Sequence, residues 1–295
     1  MTTAAQWWSG SRPRTLPAAI APVLIGTALA GADWMPLRAV LALVVALTLQ
    51  VGVNYANDYS DGIRGTDAER IGPIRLVGQG IATPTSVRRA AFLSFGVAAI
   101  SGVALVAISG YWWLLAVGAA SIAAAWFYTG GKRPYGYAGL GEVFVFIFFG
   151  LVPVLGTMYV QVGRVDLAAI WASIGVGALI CAILVTNNLR DIPTDRESGK
   201  RTLAVRLGDA RTRTLYASLV IAAFVVLVPM SLITDEAGPG ALLGLAALPW
   251  ALGPLRIVLS GTEGPGLIPA LAASGRLVII YAGALSLGLS LRLFL

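Results

Sequence analysis

The feature that most constrains this chain is the recurrence of apolar segments long enough to cross a lipid bilayer. A membrane-spanning helix needs about 20 mostly apolar residues. Such segments fall, with ends defined to within several residues, at 16–32, 38–57, 88–108, 111–129, 140–161, 166–188, 212–234, 239–259 and 268–292. The pattern continues to the C-terminus, so a cleaved signal peptide does not account for it. The sequence therefore predicts an all-α integral membrane protein with nine transmembrane helices.

Composition narrows the chemistry that such a protein can perform. Only 12% of the residues are charged, about half the fraction typical of a soluble domain. Histidine is absent, which excludes histidine metal ligands and histidine general bases. The one cysteine, Cys181, lies in an apolar run, cannot form an intramolecular disulfide, and is expected to serve packing. Catalysis must therefore rest on Asp, Glu, Tyr, Lys, Arg and the backbone.

The net charge of +7 indicates membrane topology rather than nucleic-acid binding, because the basic residues are concentrated on one side of the predicted bundle. They precede the first segment and follow the second, fourth and sixth: Arg12, Arg14, Arg64, Arg70, Arg75, Arg88, Arg89, Lys132, Arg133, Arg190, Arg196, Lys200, Arg201, Arg206, Arg211 and Arg213. The other side has only Arg38, Arg164 and Arg292. The positive-inside rule places the N-terminus and the basic loops in the cytoplasm, and we expect the plasma membrane of a bacterium.

Two of the predicted cytoplasmic loops are long, at 57–88 and 189–212, and both have a high density of mixed charge. Long loops in a compact domain are usually functional or disordered. These two are not of low complexity, which favours function. We predict a single domain over 1–295, with the two loops as its cytoplasmic caps.

Each long loop begins with a similar polar motif at the cytoplasmic end of a span. The first contains Asn57, Asp58 and Asp61, with Asp67 further on. The second has Asn187, Asp191 and Asp195 at four-residue intervals, with Asn188 beside the first of them. Residues four apart share one face of a helix. An isolated pair of this kind is common at a membrane boundary, but two matched copies with cations beside them favour a duplicated site, since carboxylates near a bilayer are usually functional.

These motifs have the donor chemistry of a magnesium–diphosphate site. Mg²⁺ prefers oxygen ligands and usually bridges to substrate phosphates. We therefore predict as metal ligands Asn57, Asp58, Asp61, Asp67, Asn187, Asp191 and Asp195. Arginine and lysine neutralise phosphate oxygens, arginine in forked fashion. The predicted phosphate-binding cations are Arg64, Lys132, Arg133, Lys200 and Arg201.

Four further residues are candidates for the site, and each of them also has an explanation that does not involve function. Tyr128 follows the fourth segment, where an aromatic face could stabilise a developing cation or anchor the helix at the interface. Glu142 opens an otherwise apolar fifth segment and is either a site residue or a solvated boundary charge. Arg12 or Arg14 could bind an anionic acceptor, although topology alone explains both.

The two polar motifs resemble the Asp-rich motifs of the UbiA superfamily of intramembrane prenyltransferases. Asn57, Asp58 and Asp61 match that family's Asn-Asp-x-x-Asp. The family's further Asp, four residues on, is replaced here by Gly65, with Asp67 two residues later. Arg70-Ile-Gly72-Pro73-Ile-Arg75, Arg12-Pro-Arg-Thr-Leu-Pro17 and the Gly-rich run before Glu142 resemble the menaquinone branch, which prenylates 1,4-dihydroxy-2-naphthoate.

The resemblance, which covers about residues 10 to 290, implies a nine-helix bundle around a central cavity, with Mg²⁺ as cofactor. It implies a polyprenyl diphosphate donor, a 1,4-dihydroxy-2-naphthoate acceptor, and release of diphosphate and carbon dioxide to give demethylmenaquinone. Asp61, Asp191 and Glu142 are then the catalytic candidates, with Asp191 or Glu142 orienting or deprotonating the acceptor hydroxyl. Tyr128, Asn188 and Arg12 join the cations in binding substrates. We expect the apolar cavity to open sideways to lipid.

Other functions remain open from sequence alone. The same chemistry could use 4-hydroxybenzoate, homogentisate, haem or a sugar phosphate as acceptor. A secondary transporter would place a duplicated Asn/Asp motif near the bilayer midplane, whereas both motifs here lie at the ends of spans. A scaffold with a degenerate site is disfavoured because both motifs are intact. Prenyl length and oligomeric state are not encoded in any pattern we identify.

Overall fold

The chain forms long helices joined by short connections throughout residues 2–65 and 74–291, the part described by the computed structural model. No strand occurs in these ranges. The long helices, numbered here from the N-terminus, are α1 Pro17–Leu29, α2 Pro36–Ile63, α3 Pro84–Ser109, α4 Leu114–Phe127, α5 Gly141–Val162, α6 Leu167–Arg190, α7 Asp209–Ile233, α8 Gly238–Leu259 and α9 Gly264–Leu291. Each overlaps one predicted segment, so the all-α prediction is confirmed.

Seven of these described helices are long and apolar enough to cross a membrane by length and composition. The other two, α1 and α4, have 13 and 14 residues. At a rise of 1.5 Å per residue they are about 20 Å long, short of the roughly 30 Å hydrocarbon core. The prediction of nine crossings therefore stays a prediction for α1 and α4.

Local signals explain where the helices begin and end. The Asp166 carboxylate accepts a hydrogen bond of 2.8 Å from the Ala169 amide and caps α6, as acidic and hydroxyl side chains do at helix N-termini. Thr83 caps α3 in the same way, directly before Pro84. Gly110 and Gly163 follow α3 and α5 with φ of 82° and 73°. Only glycine adopts this left-handed backbone without a steric penalty.

Helix α6 is the centre of the bundle. Of its most apolar stretch of residues, 78% is buried inside the protein. Small residues let neighbouring helices approach it, as is usual in membrane bundles. A Cβ at Gly150 of α5 would lie 2.6 Å from the Gly177 Cα of α6. Helices α8 and α9 meet in the same way at Gly240 and Gly288. The largest apolar core joins α6 to α1, α7, α8 and α9.

Helices α2 to α5 are packed differently. Two smaller apolar clusters join α2 to α3 and to the ends of α4 and α5. Between these clusters the four helices enclose open space, which α6, α1 and α9 close from the other side. Helix α5 changes to π-helical geometry over Phe146–Leu151, where it faces this space. Such π segments occur often at functional sites.

The connections at one end of the bundle differ in extent from the predicted loops. The predicted loop 57–88 is shorter, because α2 continues to Ile63 and α3 begins at Pro84. The predicted loop 189–212 contains two short helices, Ile192–Glu197 and Leu203–Leu207. A third short helix, Ala4–Gly10, lies against α2, where the Tyr55 hydroxyl donates 2.9 Å to the Trp7 carbonyl.

Candidate functional site

A cavity of about 1070 Å³ runs through the part of the bundle enclosed by α1 to α6 and α9. Along α2 it is lined from Asp61 to Ala42, a depth of about 28 Å at 1.5 Å per residue. Most of its wall is apolar, and its polar residues are concentrated where α2 and α6 end. We call this polar end the mouth. The two predicted motif segments contribute to it Asn57, Asp61, Asn187, Asn188, Arg190, Asp195 and Lys200.

Asp61 is held in the mouth by both an ion pair and a hydrogen bond. It is 3% exposed, and its Oδ2 lies 3.2 Å from the Lys200 Nζ. The Tyr137 hydroxyl donates to its Oδ1, and Lys200 lies 4.7 Å from the centre of the Tyr137 ring. Burial of a charge is costly unless it is paired. Asp61, Lys200 and Tyr137 therefore form one unit that joins α2 to the segments before α5 and after α6.

Asp58 faces away from the mouth, although it was predicted as a metal ligand. Its two oxygens accept hydrogen bonds of 2.7 Å from the Leu76 amide and 3.0 Å from the Val77 amide. The side chain is fully buried. In this position the carboxylate fixes the backbone of the segment that returns to α3. The same segment carries Arg75, which is 4% exposed and lines the cavity.

The second motif crosses a helix boundary. Helix α6 ends at Arg190, and Asp191 precedes the short helix Ile192–Glu197. The i→i−4 backbone bonds nevertheless continue, from Asp191 to Asn187 at 3.1 Å and from Asp195 to Asp191 at 2.8 Å. Asn187 and Asp195 line the cavity. Asp191 makes a forked pair with the neighbouring Arg190, at 2.7 and 2.8 Å, and both side chains are buried.

Several predicted cations lie outside the cavity wall. Arg64 is exposed and donates to the carbonyls of Thr129 and Gly131. The same connection places the Thr129 hydroxyl 2.8 Å from Asn57 Oδ1, so it holds the first motif from two sides. Lys132, Arg133 and Arg201 are exposed and are not part of the cavity lining. Of the five predicted phosphate-binding cations, the structure brings Lys200 into the mouth.

Glu142 forms a buried pair with Asn188. Asn188 Nδ2 donates 2.9 Å to Glu142 Oε1, and within the described residues Glu142 Oε2 has no hydrogen-bond partner. The Cys181 thiol lies 3.2 Å from the Glu142 carbonyl. Asn188 lines the cavity and Glu142 does not. Glu142 therefore acts on the cavity through the amide of Asn188.

The segment before α1 closes the mouth opposite α6. Arg12 has a left-handed backbone with φ of 55° and lines the cavity together with Arg14. Asn54 holds this segment by donating 2.8 Å to the Ser11 carbonyl and 2.9 Å to the Thr15 hydroxyl. A non-glycine residue with positive φ is strained unless its surroundings fix it. The polar face of α2 fixes this arginine-bearing turn.

Aromatic rings lie between the mouth and the apolar part of the cavity. Tyr128 and Tyr135 line it, with ring centres 5.5 Å apart, and Phe144 stacks on Tyr135 at 4.0 Å. The Tyr135 hydroxyl donates 2.7 Å to the Ala124 carbonyl. Burial raises the pKa of the Tyr135 phenol well above its usual value, so this ring stays neutral. Neutral π faces attract a nearby cation.

Sequence reasoning missed some residues that the fold brings to the cavity. Arg190 was predicted only as a topology marker, whereas Arg75 and Tyr137 lie in runs that resemble the menaquinone branch without being predicted as site residues, yet all three line the wall. Adjacency to the second motif was the available signal for Arg190, and the Gly-rich run before Glu142 was the signal for Tyr137. For Arg75 the signal was a basic residue two positions after Pro73. The predicted ligand Asp67 lies outside the described residues.

The residues of the mouth fit a divalent cation that binds through oxygen. Within the described residues no group of three Asp, Glu, Cys or His side chains converges as a ready metal cluster. Asn57, Asp61, Asn187 and Asp195 nevertheless line one space, and their side chains carry amide and carboxylate oxygens. Mg²⁺ is usually bound by one or two carboxylates together with waters and substrate phosphates. This donor set suits that mode.

A polar, cation-lined mouth that opens into a deep apolar cavity defines an intramembrane enzyme for a substrate with an anionic head and an apolar tail. Comparison with known proteins agrees. The model of the UbiA prenyltransferase family matches residues 19–265. The chain belongs to the UbiA prenyltransferase family and is a membrane prenyltransferase.

Bacterial proteins match this chain over most of its length. The 1,4-dihydroxy-2-naphthoate octaprenyltransferase of Mycobacterium tuberculosis is 53% identical over 296 residues, which cover 98% of this chain and 99% of that protein. The protein of the same name from Escherichia coli is 42% identical over 249 residues, 82% of this chain and 81% of that protein. A solved UbiA homologue from Archaeoglobus fulgidus, bound to DMAPP and Mg²⁺, has a TM-score of 0.69 at 14% identity, over 95% of this chain and 98% of that one. At that identity the likeness concerns the fold alone.

Proposed function

We propose that this protein transfers a polyprenyl chain from a polyprenyl diphosphate to 1,4-dihydroxy-2-naphthoate, in an Mg²⁺-dependent reaction that gives demethylmenaquinone. The observation that carries the proposal is the single cavity whose mouth is charged and whose remainder is apolar. Such a cavity matches a donor with an anionic diphosphate and a hydrocarbon tail. Relatives named for octaprenyl transfer to the naphthoate, at 42% and 53% identity, support the acceptor and a long donor.

The diphosphate binds in the mouth. Lys200 and Arg190 line this space, and charge-assisted bonds from arginine and lysine to phosphate are among the strongest available. Lys200 is held by Asp61 and by the Tyr137 ring, so its position is set before a substrate arrives. Preorganised cations stabilise the charge that the diphosphate gains as it leaves. Arg64, Lys132, Arg133 and Arg201 would assist from the rim.

Asn57, Asp61, Asn187 and Asp195 would hold Mg²⁺, with Asp191 beside them. Asp58 was also predicted as a ligand but binds the amides of Leu76 and Val77 instead. When bound, the metal supplies Lewis-acid stabilisation of the phosphate oxygens. The chain's own residues keep these ligands in place. Thr129 holds the Asn57 amide, Tyr137 the Asp61 carboxylate and Arg190 the Asp191 carboxylate.

The bond changes balance without another reactant. The bond between the allylic carbon and the diphosphate oxygen breaks, and its electron pair leaves with diphosphate. The electron-rich ring carbon that bears the carboxylate then donates an electron pair to the allylic cation, and the new carbon–carbon bond forms. Loss of carbon dioxide returns the electron pair of its bond to the ring and restores aromaticity. The rings of Tyr128 and Tyr135 line the cavity next to the mouth and would stabilise the cation, while the apolar wall excludes water.

The acceptor is assigned to the space between Asn188 on α6 and Arg12 on the segment before α1, both of which line the cavity. Arg12 would pair with the acceptor carboxylate and Asn188 would bind a ring hydroxyl. Glu142 is then a positioning residue, since its Oε1 fixes the Asn188 amide. Asp191, whose carboxylate pairs with the cavity-lining Arg190, would be the group that orients or deprotonates the acceptor hydroxyl. Because the helix ends that form the mouth also carry the basic connections, the positive-inside rule supports a cytoplasmic mouth in the bacterial plasma membrane.

The proposal is tested by turnover of the purified protein in detergent with octaprenyl diphosphate and Mg²⁺. We would offer 1,4-dihydroxy-2-naphthoate, 4-hydroxybenzoate and homogentisate in parallel, each with and without EDTA. We expect prenylated naphthoquinol only, and none with EDTA. Product from another acceptor alone would overturn the naphthoate assignment and leave prenyl transfer standing. Turnover that survives EDTA would overturn the metal assignment.

A further inference from the structure

A group of aromatic side chains and one arginine joins α2, α3 and α4 near the mouth end of the bundle, outside the cavity wall. The Trp126 ring of α4 lies between Tyr59 of α2 and Phe92 of α3, with ring centres 6.1 Å and 4.8 Å away. The Arg88 guanidinium of α3 lies 5.9 Å from the centre of the Tyr59 ring. None of these four residues lines the cavity. The proposed reaction has no role for them, and we call them the outer cluster.

The outer cluster lies at the depth where lipid headgroups meet acyl chains. Arg88 is four residues from the start of α3 at Pro84, and Tyr59 is four residues from the end of α2 at Ile63. At 1.5 Å per residue, both lie about 6 Å inside the ends of their helices. Trp126 is one residue from the end of α4. Because tyrosine and tryptophan are enriched at the membrane interface, this position suits contact with lipid.

The polar groups of the outer cluster are available to a ligand. Arg88 is exposed, and Tyr59 and Trp126 are partly exposed. Within the described residues no group accepts a hydrogen bond from the Arg88 guanidinium, the Tyr59 hydroxyl or the Trp126 indole. The cation–π contact holds the guanidinium near the Tyr59 ring without using its N–H groups. Arginine binds phosphate oxygens in forked fashion, so the cluster has the donors that a phosphate needs.

The charge around the cluster favours an anionic lipid. Arg89 follows Arg88 and is also exposed. Within the described part of the chain no carboxylate pairs with either arginine. A zwitterionic headgroup would bring its ammonium beside two guanidinium groups, whereas an anionic headgroup brings negative charge alone. Basic residues at a membrane surface attract anionic lipids, and two adjacent ones strengthen that preference.

Helix α3 continues beyond the cluster with a strip that can accommodate an acyl chain. Phe92 and Gly96 follow Arg88 at four-residue intervals, so the three residues share one face of the helix. Phe92 is 53% exposed. A Cβ at Gly96 would meet no atom within 4 Å, as is also true at Gly118 of α4. Gly96 therefore packs against no other helix, and one turn beyond Phe92 it leaves space for a chain.

We propose that the outer cluster binds one anionic phospholipid, whose phosphate pairs with Arg88 and whose acyl chain lies along Phe92 and Gly96. Because the cluster draws on α2, α3 and α4, the bound lipid joins three helices that enclose the cavity and stabilises them. The proposal does not depend on the donor or the acceptor of the reaction. The alternative is that Arg88 extends toward bulk headgroups without selecting any of them, as long basic side chains do at an interface.

The test measures lipid binding to the delipidated full-length protein in detergent, with no donor or acceptor present. Native mass spectrometry gives the apparent affinity for phosphatidylglycerol, and the thermal midpoint gives the stabilisation. Phosphatidylcholine with the same acyl chains tests the charge, and inorganic phosphate tests the need for a lipid. Arg88→Gln is the main variant. Arg211→Gln is its matched control, since Arg211 is exposed and lies in the first turn of α7 at the same end of the bundle.

We expect phosphatidylglycerol to raise the thermal midpoint and to bind about tenfold more tightly than phosphatidylcholine. Arg88→Gln should lower the phosphatidylglycerol affinity about tenfold, the usual effect of losing a hydrogen bond to a charged group. Arg211→Gln should leave that affinity unchanged. Equal affinities for the two lipids, equal losses in the two variants, or the same stabilisation by inorganic phosphate alone would each contradict the proposal.

A second variant tests the acyl path and serves if Arg88→Gln does not fold. Gly96→Leu fills that path and leaves the headgroup donors in place. We expect it to lower the phosphatidylglycerol affinity about fivefold, a modest effect for added bulk. Gly253→Leu is its control, because Gly253 of α8 is exposed and a Cβ there would also meet no atom within 4 Å. Equal affinities in these two glycine variants would overturn the placement of the lipid on α3.

Discussion

The two halves of the helix bundle are packed in opposite ways. Helices α6 to α9, with α1, form a solid half in which glycines bring backbones into contact and one apolar core runs between them. Helices α2 to α5 form a hollow half, with smaller clusters and a cavity. Lipid tails are as apolar as leucine, so no hydrophobic force collapses a cavity in a membrane protein. In the hollow half the polar contacts of Asp61, Lys200 and Tyr137 join α2 to the segments before α5 and after α6 at the mouth, so effects on activity and on stability should separate between the halves.

The largest expected effect is on catalysis in the hollow half. Asp61→Asn keeps the shape of the side chain and removes its charge, so it weakens the proposed metal site and leaves Lys200 buried without a carboxylate. We expect kcat to fall by about 100- to 1000-fold, as for loss of a preorganised electrostatic group. Turnover under saturating donor measures it.

Lys200 provides the control for that prediction. The double variant Asp61→Asn with Lys200→Met removes both buried charges, which is often neutral for stability. We expect it to restore thermal stability to near the wild-type value while activity stays lost. Recovery of activity in the double variant would show that Asp61 serves only to neutralise Lys200.

The next effect is on folding in the solid half. Gly288→Val places a side chain on the backbone of Gly240, between α8 and α9. Overpacking of this kind costs about 3 kcal/mol. We expect a lower thermal midpoint and a lower folded yield in detergent. Gly118→Val in the hollow half should change stability by less than about 0.5 kcal/mol. Equal losses of stability in both variants would contradict the proposed difference in packing between the halves.

A smaller effect separates two carboxylates within the first motif. Asp58→Asn can accept only one of the two amide hydrogen bonds from Leu76 and Val77. Hydrogen bonds to charged groups contribute about 1.5–3 kcal/mol, so we expect the segment that bears Arg75 to be less well held and the donor KM to rise about tenfold. The Mg²⁺ concentration for half-maximal activity should not change, whereas Asp61→Asn should raise it. A raised Mg²⁺ requirement in Asp58→Asn would support the sequence-based prediction of a metal ligand.

The smallest effect concerns the phenol that holds Asp61. Tyr137→Phe removes the hydroxyl and keeps the ring on which Lys200 lies. A hydrogen bond to a charged group contributes about 1.5–3 kcal/mol, but Lys200 still pairs with Asp61 in this variant. We therefore expect only part of that energy to be lost and kcat/KM to fall about fivefold. Tyr137→Leu, which also removes the ring, should lower it further. Identical values for the two variants would show that the ring contributes nothing.

The sequence predicts the fold class and the two motifs well, because both depend on local patterns. Apolar length alone located all the long helices, and four-residue spacing placed Asn57 with Asp61 on the cavity side of α2. It did not predict that Asp58, one residue from Asn57, faces the backbone of residues 76 and 77. At 100° per residue, neighbours on a helix point in different directions. Which of them meets the cavity is decided by the packing of α2.

For the predicted cations, too, the sequence indicates where they gather but not which of them line the cavity. Lys200 and Arg201 are neighbours with similar sequence context, yet the first is 4% exposed beside Asp61 and the second is exposed. Arg75 and Arg190 were not predicted as site residues and line the cavity. A charge count predicts that cations gather at this end of the bundle. Only tertiary contacts determine which of them turn inward.

The two short helices affect how the protein sits in its membrane. Both α1 and α4 end in segments that form the mouth, at Arg12–Thr15 and Tyr128–Tyr137. Their hydrophobic length is about 10 Å less than the hydrocarbon core. Such a mismatch thins the local bilayer or lowers the polar segments into it. With α1 and α4 crossing the membrane as predicted, we expect the mouth to lie at the depth of the upper acyl chains, where a donor anchored by its tail reaches it by lateral diffusion. We then expect turnover to depend on lipid acyl length and to be slower in thicker bilayers.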